Sequence, residues 1–437
     1  MWVKRSRSAG KLSGLELLCS IAVALIFALS NLQPLRGQEP GHMSAMVRLE
    51  DLLQEAERNN PTIQASRQEW QAAQKVPTQV ETLPDPQFVL QHFSVGSPRP
   101  FAGYTNSDFA YIGLGASQEF PWPGKRALRA QVAGAQADAL RTQSGAVRRM
   151  VVEQVKMTYF KLAYLQATLD ILLRDDKLLV EMEQTAESRY RVGQGNQQEV
   201  LKAQLQHTRI LQEITLHHRE QGQLQAQLKQ LLGRAQDSPD IATETLRERV
   251  LPASASELLQ QARQNNPEIN ARTQLVKRAD LQTDLARKEF RPDFGLQYIY
   301  QNTDRKFRDY YMLTFTVTLP NRGRKRAELA EATENRQTAA SELTAEVQRR
   351  MAEVQDQYVI AKTSAEQLKI FREGLLPQAE ATFHAAITAY QANRQDFETL
   401  LSSFRDVLDF EEQYQKVLSE HESALERLES LTGVTLP

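Results

Sequence analysis

Seven histidines, eight methionines and a single cysteine are the side chains of this 437-residue sequence best suited to hold a soft metal or act as nucleophiles. The histidines are dispersed, at His42, His92, His207, His217, His218, His384 and His421. His217 and His218 adjoin, but neighbours on a helix point in different directions and do not chelate one ion. The methionines are equally scattered, so no metal-site spacing is present and no bound metal is expected. Gly193-Gln194-Gly195 lacks the strand-turn-helix setting and the third glycine of a nucleotide loop. No nucleophile is paired with a base. These residues predict no enzyme and no cofactor.

Basic residues number 53 and acidic residues 54, a formal net charge of −1, so nothing draws the whole chain to nucleic acid. Two small clusters stand out: Lys125 and Arg126, and Arg322, Arg324, Lys325 and Arg326, each opening a helical stretch just after an extended one. Cations at a helix N-terminus are locally unfavourable and call for compensation. Anionic lipid headgroups are one candidate. At the N-terminus, Lys4, Arg5, Arg7 and Lys11 precede an apolar run from Leu17 to Leu29. This is the layout of a secretory signal peptide over residues 1–37, with cleavage near 30–38, after Ser30 or Gly37. A retained anchor is the alternative, for which the run is short. Cys19 lies inside the run, and Glu16-Leu17-Leu18 before it does not suit lipoprotein processing. The mature chain then has no disulfide.

The elements that carry these residues are mostly helical. Hydrophobic residues make up 41% of the chain and mean hydropathy is −0.50, which favours an elongated protein over a compact one. From Gly124 the sequence runs without proline to Pro239, with one sharp turn signal at Tyr190 to Asn196. A helix from Lys125 to Tyr190 is roughly 100 Å long at 1.5 Å per residue. It reads as one arm of a long hairpin, and the arrangement returns. Leu52 to Pro61 (LLQEAERNNP) matches Leu258 to Pro267 (LLQQARQNNP). Pro86 to Leu90 lies over Pro292 to Leu296, Pro121 to Arg126 over Pro320 to Lys325, and Leu231-Leu232-Gly233 over Leu431-Thr432-Gly433. The mature chain is a tandem duplication: a first repeat over 47–233, a linker over 234–254, and a second repeat over 255–433. In each, a short helix stops at Asn-Asn-Pro and a second follows, over Thr62 to Val80 and Glu268 to Phe290. Two extended segments and a long helical hairpin complete the repeat.

The extended segments alternate with period two. Odd positions are apolar in Tyr311 to Leu319, and even positions are large and apolar in Phe294 to Gln301. The first-half strands, Phe88 to Val95 and Phe109 to Phe120, are less regular, with Ile112, Leu114 and Ala116 on one face. Such lengths suit a tilted strand crossing a bilayer, and aromatic residues crowd the strand ends. A small soluble sheet is the alternative. Four strands cannot close a barrel in lipid, where open edges are not tolerated, so the membrane reading requires an oligomer; three copies supply twelve. The helices carry narrow seams of period 3.5, the coiled-coil repeat. These are Val151, Val155, Thr158, Leu162, Leu165, Leu169 and Leu172; then Leu343 through Val354 to Leu368; and Leu400 through His421 to Leu428. One seam per helix suits a wall one helix thick. Pro377, assigned to the helix of the third seam, is either a functional bend or a static kink.

In the order and spacing of these landmarks, with Leu375-Leu376-Pro377-Gln378-Ala379-Glu380 and the turns Tyr190-Arg191-Val192-Gly193 and Tyr390-Gln391-Ala392-Asn393, the chain resembles the TolC-like outer-membrane efflux channels. The resemblance runs from Val47 to Gly433 and is greatest with the branch of CusC- and CzcC-type heavy-metal efflux channels. It implies a mainly α fold with a transmembrane β part: a homotrimer forming a twelve-stranded β-barrel in the bacterial outer membrane and a long coiled-coil α-barrel across the periplasm, ringed by an equatorial belt. It implies a passive conduit for small molecules or metal ions, joined by a periplasmic adaptor to an inner-membrane pump of the RND type. The tips carried over as adaptor contacts are Arg191, Val192 and Gly193, with Gln391, Ala392, Asn393 and Arg394. Tyr390 matches a tyrosine that links closed helices. The aligned acidic positions hold Thr399 and Ser402, so Asp396 and Glu398 are taken as the periplasmic gate beside Tyr390; the bland reading makes Asp396 a helix cap. Asn393 tolerates the left-handed turn that Gly193 provides. Gly124 and Gly323 mark the strand-to-helix elbows. The rivals are a periplasmic adaptor, which has one hairpin between β domains, and a soluble coiled-coil scaffold.

Overall fold

The computed structural model describes residues 47–93, 110–251, 254–303 and 309–435. The expected signal peptide, both cleavage positions and the expected strand ends at Val95 and Phe109 lie outside these residues. Each half follows one plan. Helices α1 (Leu49–Asn59), α2 (Pro61–Ala73) and α3 (Val76–Glu81) lead to strands β1 (Gln87–Phe93) and β2 (Tyr111–Phe120), then to α4 (Lys125–Arg191) and α5 (Gln197–Leu232). The second half gives α6 (Ala255–Asn265), α7 (Pro267–Lys288), β3 (Asp293–Asn302), β4 (Tyr310–Thr318), α8 (Arg322–Ile370), a π-helical turn (Phe371–Leu375), α9 (Leu376–Gln391) and α10 (Phe397–Thr432).

Two sequence expectations need correction. The helix expected over Thr62 to Val80 breaks after Ala73, because Pro77 has no N–H and fits only the first turn of a new helix. Pro377 is not on the helix of the third seam. It is the second residue of α9, in the run that carries the second seam, directly after the π turn. There the Leu376 N–H reaches back five residues to the Phe371 carbonyl, a widened turn just ahead of the proline.

The duplicated Asn-Asn-Pro sites fold alike to the level of single hydrogen bonds. The Asn60 side chain accepts from the Thr62 and Ile63 amides at 2.9 and 3.2 Å and donates to the Leu231 carbonyl at 2.8 Å. Asn266 accepts from Glu268 and Ile269 at 3.0 and 3.1 Å and donates to the Leu431 carbonyl at 2.9 Å. Each asparagine therefore caps its own helix and holds the C-terminal end of its hairpin. Gly233 and Gly433 end those hairpins with φ of 72° and 70°. A Cβ there would lie 2.9 and 3.2 Å from the carbonyls of Asn59 and Asn265, so the close approach needs glycine on both counts.

All seven residues of the first seam, from Val151 to Leu172, are buried, as are Val354, Ala361 and Leu368 of the second and most of the third. Of the polar residues in the third seam, Glu411 is half-buried, and His421 is fully buried and satisfied by the Arg249 carbonyl at 2.8 Å and by Ser364 at 3.0 Å. Arg249 lies in the extended segment after α5, which crosses the helices. Its guanidinium grips Glu422 at 2.6 Å and Glu429 at 2.9 Å. Gln225 pairs twice with Ile241, and the Tyr159 hydroxyl receives the Glu244 amide at 2.8 Å.

The strands form one antiparallel sheet in the order β1-β2-β3-β4. Register pairs Leu90 with Leu114, Leu114 with Tyr300, Tyr298 with Leu313, and Leu296 with Phe315, so one face is apolar along all four strands, while Val89, Ile299 and Met312 align on the other. That face is bare: Phe88 is 81% exposed and Leu313 69%. The other face carries Gln87, Gln91, Ser117, Gln297, Thr314 and Thr316. β1 and β4 are paired on one side only, so the sheet within one chain is open.

Candidate functional site at the hairpin tips

Both hairpins reverse in short turns of the same shape. In the first, Gly193 takes φ 76° and the amides of Gln194 and Gly195 return to the Arg189 carbonyl at 2.9 and 3.1 Å. In the second, Asn393 takes φ 57° and the Arg394 amide returns to Ala389 at 2.9 Å. Asn393 thus adopts the left-handed conformation that its glycine counterpart provides. Arg191, Val192, Gly193, Gln391, Ala392, Asn393 and Arg394 are all exposed.

Behind the turns, one tyrosine joins the two hairpins. Tyr390 is 3% exposed and packs edge-on against Phe397, with ring centroids 5.6 Å apart. Its hydroxyl donates to Glu199 Oε2 at 2.9 Å, on the other hairpin. Arg189 reaches back across the same boundary. Its guanidinium lies 4.5 Å from the Tyr390 ring centroid and donates to the Tyr390 carbonyl at 2.8 Å and to Asn393 Oδ1 at 2.5 Å. Burial, and then the Glu199 carboxylate, push the Tyr390 phenol well above its ordinary range, against the opposing charge of Arg189. Tyr390 is therefore a neutral donor at any physiological pH.

The two acidic positions differ. Asp396 is the N-cap of α10 and accepts from the Thr399 amide at 2.9 Å and the Thr399 hydroxyl at 2.6 Å. These bonds hold its carboxyl below the usual range. Glu398, in the first turn, is exposed and ion-paired with Lys202 of the first hairpin. Tyr390 and Glu398 therefore bridge the hairpins, whereas Asp396 serves its own helix. Arg189, Glu199 and Lys202 escaped the sequence reading. Their repeat counterparts are Ala389, Thr399 and Ser402. Charged residues facing neutral ones at matched tip positions were the available signal.

The elbows are not geometric twins. Gly124 has φ 87°, and a Cβ there would meet Lys288 Nζ at 3.0 Å. Gly323 lies inside the first turn of α8, and its elbow is made by Asn321, whose side chain accepts from the Arg324 amide at 3.2 Å. Compensation for the helix-start cations is likewise in part internal. Lys125, 1% exposed, donates to Asp293 Oδ2 at 3.0 Å and to the Arg291 carbonyl at 2.9 Å, with Glu289 at 3.3 Å. Lys325 pairs with Glu328 at 2.6 Å. Glu289 is held below its usual range although burial opposes this, because Arg129 and Lys125 outweigh it.

No group of histidine, cysteine or carboxylate side chains among the described residues is arranged to hold a metal ion. Among these residues no helix is long and apolar enough to cross a membrane. A family model described as outer membrane efflux protein matches residues 52–234 and again 258–434. The fold is similar to solved channels. VceC from Vibrio cholerae aligns with TM-score 0.75 at 19% identity, over 89% of this chain and 97% of that one. CusC aligns with 0.75 at 17%, over 90% and 93%. MtrE of Neisseria gonorrhoeae, solved in an open state, aligns with 0.74 at 18%, over 89% of each chain. A comparison with curated protein sequences finds no match.

Proposed function

The chain belongs to the outer membrane efflux protein family, and from that premise we propose that three copies close a twelve-stranded barrel in the outer membrane over an α-helical tube in the periplasm. It is an outer-membrane efflux channel, a passive conduit and not an enzyme. In this reading residues 1–37 direct export, 234–254 form an equatorial belt, and an adaptor engages the tips at Arg191 to Gly193 and Gln391 to Arg394. The cargo is small molecules or metal ions handed on by an inner-membrane pump of the RND type. Tyr390, with Glu199 and Arg189, is the latch of the periplasmic gate; Glu398 and Lys202 assist, and Asp396 acts through the cap of α10.

The observation that carries the trimer is the sheet. Its apolar face is exposed along all four strands while both edge strands stay open, an arrangement that lipid tolerates only when the edges are closed by further copies. Cysteines introduced in pairs along β1 and β4, on the polar face at Gln91 and Thr314 and their neighbours, test it. Covalent trimers in the outer-membrane fraction are expected at one register. Monomer alone at every register refutes the barrel.

A further inference from the structure

The strand-to-helix elbows are strongly basic. Three segments meet at the elbows: residues 121–129, 287–293 and 322–330. Together they hold ten basic residues against three acidic ones, in a chain whose net charge is −1. The three carboxylates are already engaged. Glu289 serves Lys125 and Arg129, Asp293 serves Lys125 and the Trp122 amide at 2.7 Å, and Glu328 serves Lys325 and Arg324. Lys288, Arg291, Arg322 and Arg326 have no carboxylate partner among the described residues, and the three arginines are exposed.

Where these cations sit defines their partner. The Arg291 guanidinium lies 5.8 Å from the Trp122 ring centroid, Trp122 lies 5.7 Å from Phe294, and Phe294 stacks on Phe315 at 5.8 Å. Phe294 and Phe315 belong to the bare apolar face of the sheet, so the ladder runs without a break from lipid-facing strand to cation. Lys288 projects beside Gly124 at the same corner, where glycine leaves room for it. A cation stacked on an interfacial tryptophan at the edge of an apolar belt faces the headgroup layer. The four cations have no counter-ion among the described residues, and phosphate esters in that layer would supply one.

We propose that the elbow corner of Lys288, Trp122 and Arg291, extended by Arg322 and Arg326, is a binding surface for anionic phospholipid headgroups at the periplasmic edge of the barrel. This rests on the barrel reading. It goes beyond it by assigning a headgroup charge preference to named residues.

The test is Trp122 fluorescence in the full-length trimer, with Trp70→Phe removing the other tryptophan of the mature chain, reconstituted in vesicles of dibrominated phosphatidylglycerol or dibrominated phosphatidylcholine. Quenching at lower mole fraction by phosphatidylglycerol is expected, with an apparent preference of roughly tenfold, as a few surface cations supply. The preference should fall to near unity in the variant combining Lys288→Gln, Arg291→Gln, Arg322→Gln and Arg326→Gln, and survive in Arg291→Lys. Equal quenching by both lipids overturns the headgroup preference and leaves the barrel standing. Quenching by neither takes the sheet out of the bilayer, and both readings with it. A preference unchanged in the Gln variant overturns the residue assignment.

Discussion

Tyr390→Phe tests the proposed latch, because it deletes one hydroxyl and leaves the buried ring against Phe397 and under Arg189. The bond lost is charge-assisted, from a neutral phenol to the half-buried Glu199 carboxylate at 2.9 Å. Such bonds contribute about 1.5–3 kcal/mol. Glu199 keeps some access to water, which favours the lower end, about 1.5 kcal/mol, or roughly tenfold in the balance of closed and open tips for each subunit. Single-channel recording in planar bilayers should show a matching rise in open probability. The control is Asp396→Asn with Glu398→Gln. Asparagine caps a helix as well as aspartate does, so α10 is kept, and the loss falls on the exposed Lys202–Glu398 pair and on the weak attraction of Asp396 to Lys202. An exposed pair is worth less than about 1 kcal/mol, so this variant should open less than Tyr390→Phe. A Tyr390→Phe channel with wild-type open probability, or a double variant that opens more, would refute the assignment of the latch to Tyr390 and Glu199.

Asn266→Ala removes two cap bonds and orphans the buried Leu431 carbonyl. The loss is about 2–4 kcal/mol from the cap and the unsatisfied acceptor together, seen as a lower unfolding temperature, with Asn266→Asp retaining the cap part. Gly124→Ala should destabilise, since its φ of 87° strains any L side chain. Gly323→Ala should be neutral or stabilising, because that glycine is helical; equal effects at the two elbows would contradict the asymmetry described above. Burial, and then the charges of Glu213, Asp409 and Asp175, raise the Glu412 carboxyl to about 7. Between its ordinary value and that one the unfolded chain binds fewer protons than the folded chain, so stability falls as pH rises through this window. Glu412→Gln should therefore raise the melting temperature at pH ~8 by a few degrees and change it little at pH ~5. A shift of equal size at both would show that ionisation is not the cause.

Much of the architecture was legible because it depends on periodicity, which is local. The first seam is buried residue for residue, and the alternating strands fall into one register with most of their large apolar residues on a single face, Val89, Ile299 and Met312 excepted. Proline positions were read less well. Pro77 splits a helix and Pro377 follows a π turn, and neither consequence follows from spacing alone. Contacts across the repeat were invisible for a different reason: Asn60 meets Leu231 at a separation of 171 residues, and Tyr390 meets Glu199 at 191. Yet the duplication contained a way to find the second. Where the backbone must do the same thing twice, the repeats keep the same residues: Asn60 and Asn266, Gly233 and Gly433. At the tips the two hairpins must instead hold each other, and a self-pairing between identical surfaces would set like against like. There the repeats diverge. Arg189, Glu199 and Lys202 stand where the second repeat has Ala389, Thr399 and Ser402, and Tyr390 is buried while its counterpart Tyr190 is exposed. In a duplicated chain, then, agreement between halves marks what each half needs to fold. Disagreement in residue type, as at Glu199 and Thr399, or in burial, as at Tyr190 and Tyr390, marks where one half works on the other, and it is there that a gate can be built.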